Sequence, residues 1–223
     1  MASAGSTNSL VVPPLRGDAR GQYRVHIVGN SGAGKSTLGK ELAALLGVPF
    51  IALDSLFWQP GWKQPSAPEF RETVQKALDQ ADKGWVVDGN FNARLGTMIS
   101  EAATDIIWLD PPLVLYFPRL CLRTILRLLG LAPPCAPGCP ESFKGIFLSS
   151  DSILWFSLSM HWKVRKAQMQ AYQIDSVWGG GNRRRIGGWG GELRDWKRDV
   201  EEMIRARGAS GTGAGGDEDS IGR

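Results

Sequence analysis

Apolar and polar positions along this chain follow two alternating periods. Short, mainly apolar runs (Tyr23–Gly29, Pro49–Asp54, Trp85–Asp88 and Asp105–Asp110) have the length and β-branched content of strands buried on both faces. Between them the period lengthens. Leu38, Leu42, Leu45 and Leu46 recur at helical spacing over about 35–46, and Gly47 supplies a C-cap. Ser66 and Glu69 form a capping-box signature for a helix over 68–82. Pro111 and Pro112 stop the fourth run and introduce a long helix over about 113–130. A Pro/Cys/Gly loop at 132–140 follows, then a helical stretch over roughly 149–173 and a final helix over Leu193–Arg205. This alternation predicts an α/β fold with a mostly parallel sheet covered by helices on both faces. Ile174 to Gly191 shows no clean strand, Arg185-Ile186 is its best candidate, and the glycine-flanked Arg183-Arg184-Arg185 reads as a solvated loop.

Composition narrows the picture. A chain of 223 residues with 43% hydrophobic and 22% charged residues suits one domain with a sizeable core. That domain is expected over 22–207, between a loose tail at 1–21 and a low-complexity tail at 208–223. Net charge +4 suits a phosphorylated ligand and is too small to argue for nucleic acid. The apolar run Leu113–Leu131 contains Pro118, Arg119, Arg123 and Arg127, which argues against a membrane span. Three cysteines make no disulfide framework and there is no signal-peptide layout, so a cytoplasmic setting is expected. Cys135 and Cys139 are spaced C-x₃-C, but no second pair completes a zinc site.

The chemistry begins at Gly29-Asn30-Ser31-Gly32-Ala33-Gly34-Lys35-Ser36-Thr37, which matches G-x-x-x-x-G-K-[ST] between a strand and a helix. Its glycines let the backbone turn N–H groups toward phosphate oxygens, and the following helix aims its positive end at the same anion. Lys35 is expected to reach the β- and γ-phosphates of ATP, and the Ser36 hydroxyl to bind Mg²⁺. Ligands of parallel sheets sit beyond the carboxyl ends of the strands, where Asp54, Asp88 and Asp110 fall. Asp88 is the expected second holder of Mg²⁺, Asp54 the residue that holds or deprotonates an acceptor hydroxyl, and Asp110 a strand-end turn residue. Arg119, Arg123 and Arg127 recur at i, i+4, i+8 and so share one helix face, either solvated or clamping a transferring phosphoryl group. Trp58 and Trp62 offer stacking walls for a planar substrate, or packing anchors.

With IALDSLFWQPGW, WVVDGNF, DIIWLDPP, CLRTILR and CPESF in sequence after GNSGAGKST, the chain resembles the topology modulation (FlaR-like) proteins. These are adenylate-kinase-related P-loop proteins, and the resemblance covers about residues 23–165. It implies a five-stranded parallel sheet of order 2-3-1-4-5. It also implies a small helical lid or insert at about 113–165, begun by the Arg119–Arg127 stretch. The DGFPR run of adenylate kinases is replaced here by DGNFN, so AMP is not implied as the acceptor.

These features together predict an ATP-binding phosphotransferase that moves the γ-phosphate of Mg-ATP to a small molecule, nucleoside or nucleotide. Lys35, Asp54, Arg119, Arg123 and Arg127 are its expected catalytic residues, and Ser36 and Asp88 its metal holders. The competing expectation is a regulatory protein or slow NTPase acting on a macromolecular, possibly nucleic-acid, partner, although no nucleic-acid-binding signature is present.

Overall fold

A computed structural model describes residues 12–134, 136–139, 153–187 and 191–212. Its framework is a five-stranded, all-parallel sheet of order β2-β3-β1-β4-β5. The strands are β1 (Tyr23–Gly29), β2 (Phe50–Ala52), β3 (Gly84–Asp88), β4 (Asp105–Asp110) and β5 (Arg183–Gly187). The helices that carry the argument are α1 (Lys35–Leu46), α2 (Leu53–Phe57), α3 (Ala67–Asp79), α4 (Asn92–Leu95), α5 (Met98–Ala102), α6 (Leu113–Leu128), α7 (Ile153–Asp175) and α8 (Glu192–Thr212).

The continuous apolar strands divide their residues between two cores, because successive side chains point to opposite faces. Val25, Ile27, Val86, Ile107, Leu109 and Ile186 face Leu38 and Leu42 of α1 and Trp196 and Val200 of α8. Val28, Ile51, Val87, Ile106 and Trp108 face Phe57 of α2 and Phe70 and Val74 of α3, with Met169 and Tyr172 of α7 packed alongside. Each face removes a full layer of branched side chains from water, at roughly 25 cal/mol per Å² of apolar surface. The capping box at α3 forms as its spacing predicts: Glu69 N–H donates to Ser66 Oγ at 3.4 Å, and Ser66 N–H donates to Glu69 Oε2 at 2.8 Å.

Several boundaries differ from the sequence reading. β2 ends at Ala52, and Leu53–Phe57 coils into one helical turn because Leu53 and Phe57, four residues apart, both reach the core. Asp54 therefore lies in the first turn of α2, not on the strand. Residues 12–21, expected to be loose, form a strap. Leu15 is buried, Arg16 and Gly17 N–H donate to the carboxylate of Asp105, and the Pro14 carbonyl accepts from Trp196 Nε1 at 3.0 Å. Residues 208–212 continue α8 instead of starting a tail. Residues 1–11 and 213–223, and the 140–152 part of the lid stretch, lie outside the described residues, as does Cys135.

The main correction concerns Arg183–Arg185. They are the start of β5, paired with Ile106, Ile107 and Trp108 of β4. Arg183 is buried and donates to Gln168 Oε1 at 2.9 Å. Arg185 donates to Asp110 and lies over the Trp108 ring at 5.1 Å. The partners of this strand are polar and distant in sequence, so no apolar period announces it.

Candidate active site

Parallel register brings Gly29, Asp88 and Asp110 to one edge of the sheet. Gly29 sits beside Leu109, Asp88 lies between Ile27 and Ala52, and Asp110 pairs with Gly187. At Gly29 the backbone has φ 141°, and a Cβ there would lie 2.3 Å from the Leu109 carbonyl oxygen, so only glycine lets β1 turn into the loop. At Gly32, where φ is 85°, a Cβ would lie 3.1 Å from the Tyr116 carbonyl oxygen and 3.2 Å from Leu120 Cβ of α6. The helices expected to form a lid thus also wall the phosphate loop.

Asn90, just past β3, fixes the start of that loop. Its Oδ1 accepts from Gly29 N–H at 3.1 Å, and its Nδ2 donates to the Gly29 carbonyl at 2.5 Å. The neighbouring Gly89 N–H donates to the Ile27 carbonyl at 3.2 Å. His26 donates from Nε2 to the Gly89 carbonyl at 2.9 Å. Burial pulls the His26 pKa down to about 4, against the Gly89 carbonyl, which raises it, and with the Arg183 charge assisting. The imidazole is therefore neutral and serves as a fixed donor holding the end of β3.

Lys35 and Ser36 meet Asp88 in the loop. Ser36 Oγ donates to Asp88 Oδ2 at 2.5 Å, and Lys35 Nζ lies 4.0 Å from Asp88 Oδ1 and donates to the Asn30 carbonyl at 3.2 Å. Asp88 is 5% exposed, and its Oδ1 is buried with no hydrogen-bond partner among the described residues. A buried carboxylate oxygen left over beside a hydroxyl oxygen is the donor set a hard divalent cation takes, and these residues fit Mg²⁺.

Asp54, in the first turn of α2, is exposed to water and lies within electrostatic reach of Lys35 and Asp88. Crowding by the surrounding protein is the largest influence and raises its carboxyl above the usual carboxylate range. The Asp88 charge adds to this, while Lys35, Arg123 and Arg127 oppose it. These four charges surround the carboxylate that is expected to meet an acceptor. The arginine stripe divides. Arg123 donates to Ser31 Oγ at 3.3 Å, and Arg127 donates from Nε to the Pro133 carbonyl at 3.1 Å. Arg119 faces elsewhere, lining a cavity of about 150 Å³ with Ala33, Leu109, Ile186, Gly187 and Gly191. Asp110 is not a plain turn residue. Its carboxylate, 1% exposed, accepts from Arg165 Nε at 3.1 Å and from Arg185 Nη2 at 2.6 Å. The Trp58 and Trp62 rings touch edge to face at 5.2 Å, leaving no slot between them for a planar group.

Sequence reasoning missed Asn90, His26, His161 and Arg165. Asn90 was visible only as part of DGNF. His161 and Arg165 sit on α7 with partners more than 40 residues away, and no local spacing marks them.

Strand order, loop and converging Lys35, Ser36 and Asp88 define a P-loop nucleotide-binding site at the carboxyl edge of a parallel sheet. The sequence model of the shikimate kinase family matches residues 31–81. A shikimate kinase from Sulfurihydrogenibium sp. (strain YO3AOP1) is 32% identical over 108 residues, which is 43% of this chain and 65% of that protein. The chain thus spans just under two thirds of that relative's length. A shikimate kinase from Acinetobacter baumannii, solved with shikimate, superposes with a TM-score of 0.48 and 17% identity over 83% of this chain and 94% of its own. A gluconokinase from Sinorhizobium meliloti 1021 gives 0.45 and 16% over 85% and 95%. These superpositions are loose, and the strand order read directly from the sheet is the firmer statement of the fold. Among the described residues no helix is long and apolar enough to cross a membrane.

Proposed function

We propose that this protein is an ATP-dependent kinase of a small hydroxylated acceptor. The observation that carries the reading is the pairing of two half-sites: Lys35, Ser36 and Asp88 at the phosphate loop, and beside them the Asp54 carboxyl with its pKa raised. The N–H groups of residues 29–37 and the start of α1 bind the phosphates, and Lys35 follows the β/γ-phosphates. Ser36 and Asp88 would hold Mg²⁺, which when bound neutralises phosphate charge. Asp54 orients the acceptor hydroxyl and takes its proton as the new P–O bond forms and the bond to ADP breaks. Arg123 and Arg127 face the transferring group. Arg119 borders the cavity suited to the base, beside Gly187 and Gly191.

Within this class we assign the chain to the topology modulation type, on LDSLFWQPGW and DGNF. The similarity of residues 31–81 to shikimate kinases makes hydroxy acids the first acceptors to try. Nucleosides and nucleoside monophosphates come second, and a cytoplasmic setting suits all of them. A macromolecular partner is a weaker reading, because the Arg183–Arg185 group it needs is committed to β5. The test is ATP consumption against panels of hydroxy acids, nucleosides and nucleotides, with Lys35→Ala and Asp54→Asn alongside. Acceptor-dependent turnover lost in both variants supports the reading. Turnover no higher with any acceptor than without one overturns it.

A further inference from the structure

Behind the phosphate loop lies a buried polar group that the reaction above does not use. His161 of α7 is 4% exposed, and its Nδ1 accepts from Tyr116 Oη of α6 at 2.7 Å and from Asn30 Nδ2 of the loop at 3.3 Å. Asn30 is itself buried. Its backbone carbonyl is the atom that accepts from Lys35 Nζ at 3.2 Å and from Ala33 N–H at 3.1 Å. One residue therefore carries a side-chain tie to α7 and a main-chain tie to the lysine of the triphosphate site.

The chemistry of the tie is one-directional. An amide NH₂ only donates, so Nδ1 must carry a lone pair and the ring proton must sit on Nε2. A second proton, on Nδ1, would face the Asn30 donor. The Tyr116 hydroxyl can rotate to accept it, whereas the Asn30 amide would first have to turn over to present Oδ1. Protonated His161 thus keeps its link to α6 and loses its present link to the loop.

We propose that His161 is a positioning residue for the phosphate loop: in its neutral form it anchors Asn30, and through Asn30 it sets Lys35, so that nucleotide affinity follows the protonation of His161. The proposal rests only on the nucleotide-binding half of the function given above, not on the acceptor or on turnover. The charges near the ring are Arg165 one turn along α7 and Asp110 at the end of β4, which is itself ion-paired to Arg165 and Arg185 of β5; Tyr116 is the titratable group from α6. Burial and the Arg165 charge hold the imidazole below its usual range, against Asp110. Tyr116 is pushed up to about 12, chiefly by burial, and stays protonated throughout.

The test is the dissociation constant of ATP, measured by calorimetry between pH 8 and pH 5 on wild type, His161→Asn, His161→Ala and Tyr116→Phe. Asparagine can present a non-titrating oxygen near the position of Nδ1. ATP itself titrates in this range, so the readout is the ratio of wild-type Kd to His161→Asn Kd at each pH. That ratio should be near one at pH 8 and rise toward about tenfold at pH 5, the worth of one buried hydrogen bond. His161→Ala should bind roughly tenfold more weakly than wild type at pH 8. Tyr116→Phe, which removes a donor to the neutral ring, should move the rise to higher pH. A ratio that stays flat, or His161→Ala binding like wild type, overturns the proposal and leaves the site standing. If His161→Ala does not fold, the His161→Asn ratio decides alone. A wild type that binds no ATP at either pH removes the nucleotide site, and this proposal with it. Binding that follows the predicted ratio without any turnover supports the proposal and counts only against the kinase reading.

Discussion

Asn90→Ala removes both hydrogen bonds that fix Gly29, the residue at which β1 becomes the phosphate loop. The side chain is partly open to water, so each bond is worth about 1 kcal/mol, not the larger value of a fully buried pair. Gly29 is buried, with the Leu109 carbonyl occupying the space a Cβ would need, and water regains its N–H hydrogen bond poorly there. The two effects together give a loss of about 2 kcal/mol, which for a domain of this size is a fall in Tm of roughly 4–8 °C. The loop also loses its preset shape, so part of the same free energy should appear as weaker nucleotide binding. Thermal unfolding followed by tryptophan emission, with and without Mg-ATP, measures both. Asn90→Asp keeps the acceptor for Gly29 N–H, removes the donor, and adds charge beside Asp88, so it should melt near Asn90→Ala but bind ATP more weakly. If Asn90→Ala melts within about 1 °C of wild type and shows the same ATP-induced rise, the clamp contributes nothing and the reasoning fails.

Further outcomes follow from other sites. Asp54→Asn should lower kcat by about 10²–10⁴ while leaving the Kd for ATP close to wild type, since a general base acts only in the transfer step. Because crowding raises the Asp54 pKa, wild-type turnover should fall on acidification at a higher pH than an ordinary carboxylate would dictate; an acid limb at the normal carboxylate range would count against its role. His26 has a folded pKa of about 4 against an ordinary value of 6.5, so it stabilises the fold above that unfolded value and loses the contribution as pH falls toward 4. The loss is on the order of 3 kcal/mol, and His26→Gln should flatten urea-unfolding stability across that window. Asp110→Asn leaves Arg165 and Arg185 facing each other without their shared counter-charge and should cost about 3 kcal/mol by denaturant unfolding; a loss under about 1 kcal/mol would show that the pairs are screened.

The central strands, α1, the capping box of α3 and the loop from Gly29 to Thr37 were legible because their causes are local: a period, a cap, a glycine pattern. Asp88 was legible for the same reason, since it ends a strand that must pair with β1. β5 was legible only as the short candidate Arg185-Ile186, because arginines hold it through Gln168 and Asp110, and a strand anchored by polar partners has little apolar signature. Only Leu53 and Asp54 of the helical turn at Leu53–Phe57 read as strand from sequence, because a short apolar run suits either period until the contacts of Leu53 and Phe57 decide. The spacing of Arg119, Arg123 and Arg127 gives only an angle around the helix, and the structure divides the stripe. Which of them meets Ser31, the 132–134 loop or the cavity beside Ile186 depends on how far along α6 each lies from the phosphate loop.

The strap at residues 12–17 has a consequence for synthesis. Arg16 finds its carboxylate 89 residues further on, and Pro14 finds its indole 182 residues further on. Contacts this distant in sequence form late, because the chain between them must be ordered first. While the protein is being made, the strap must stay exposed until β4 and then α8 have emerged. Until then the outer edge of β4 is also open, because β5 follows it by more than 70 residues. Docking of the strap is therefore a marker of completion, and protease cleavage within residues 12–17 should stop only when Trp196 has reached its place.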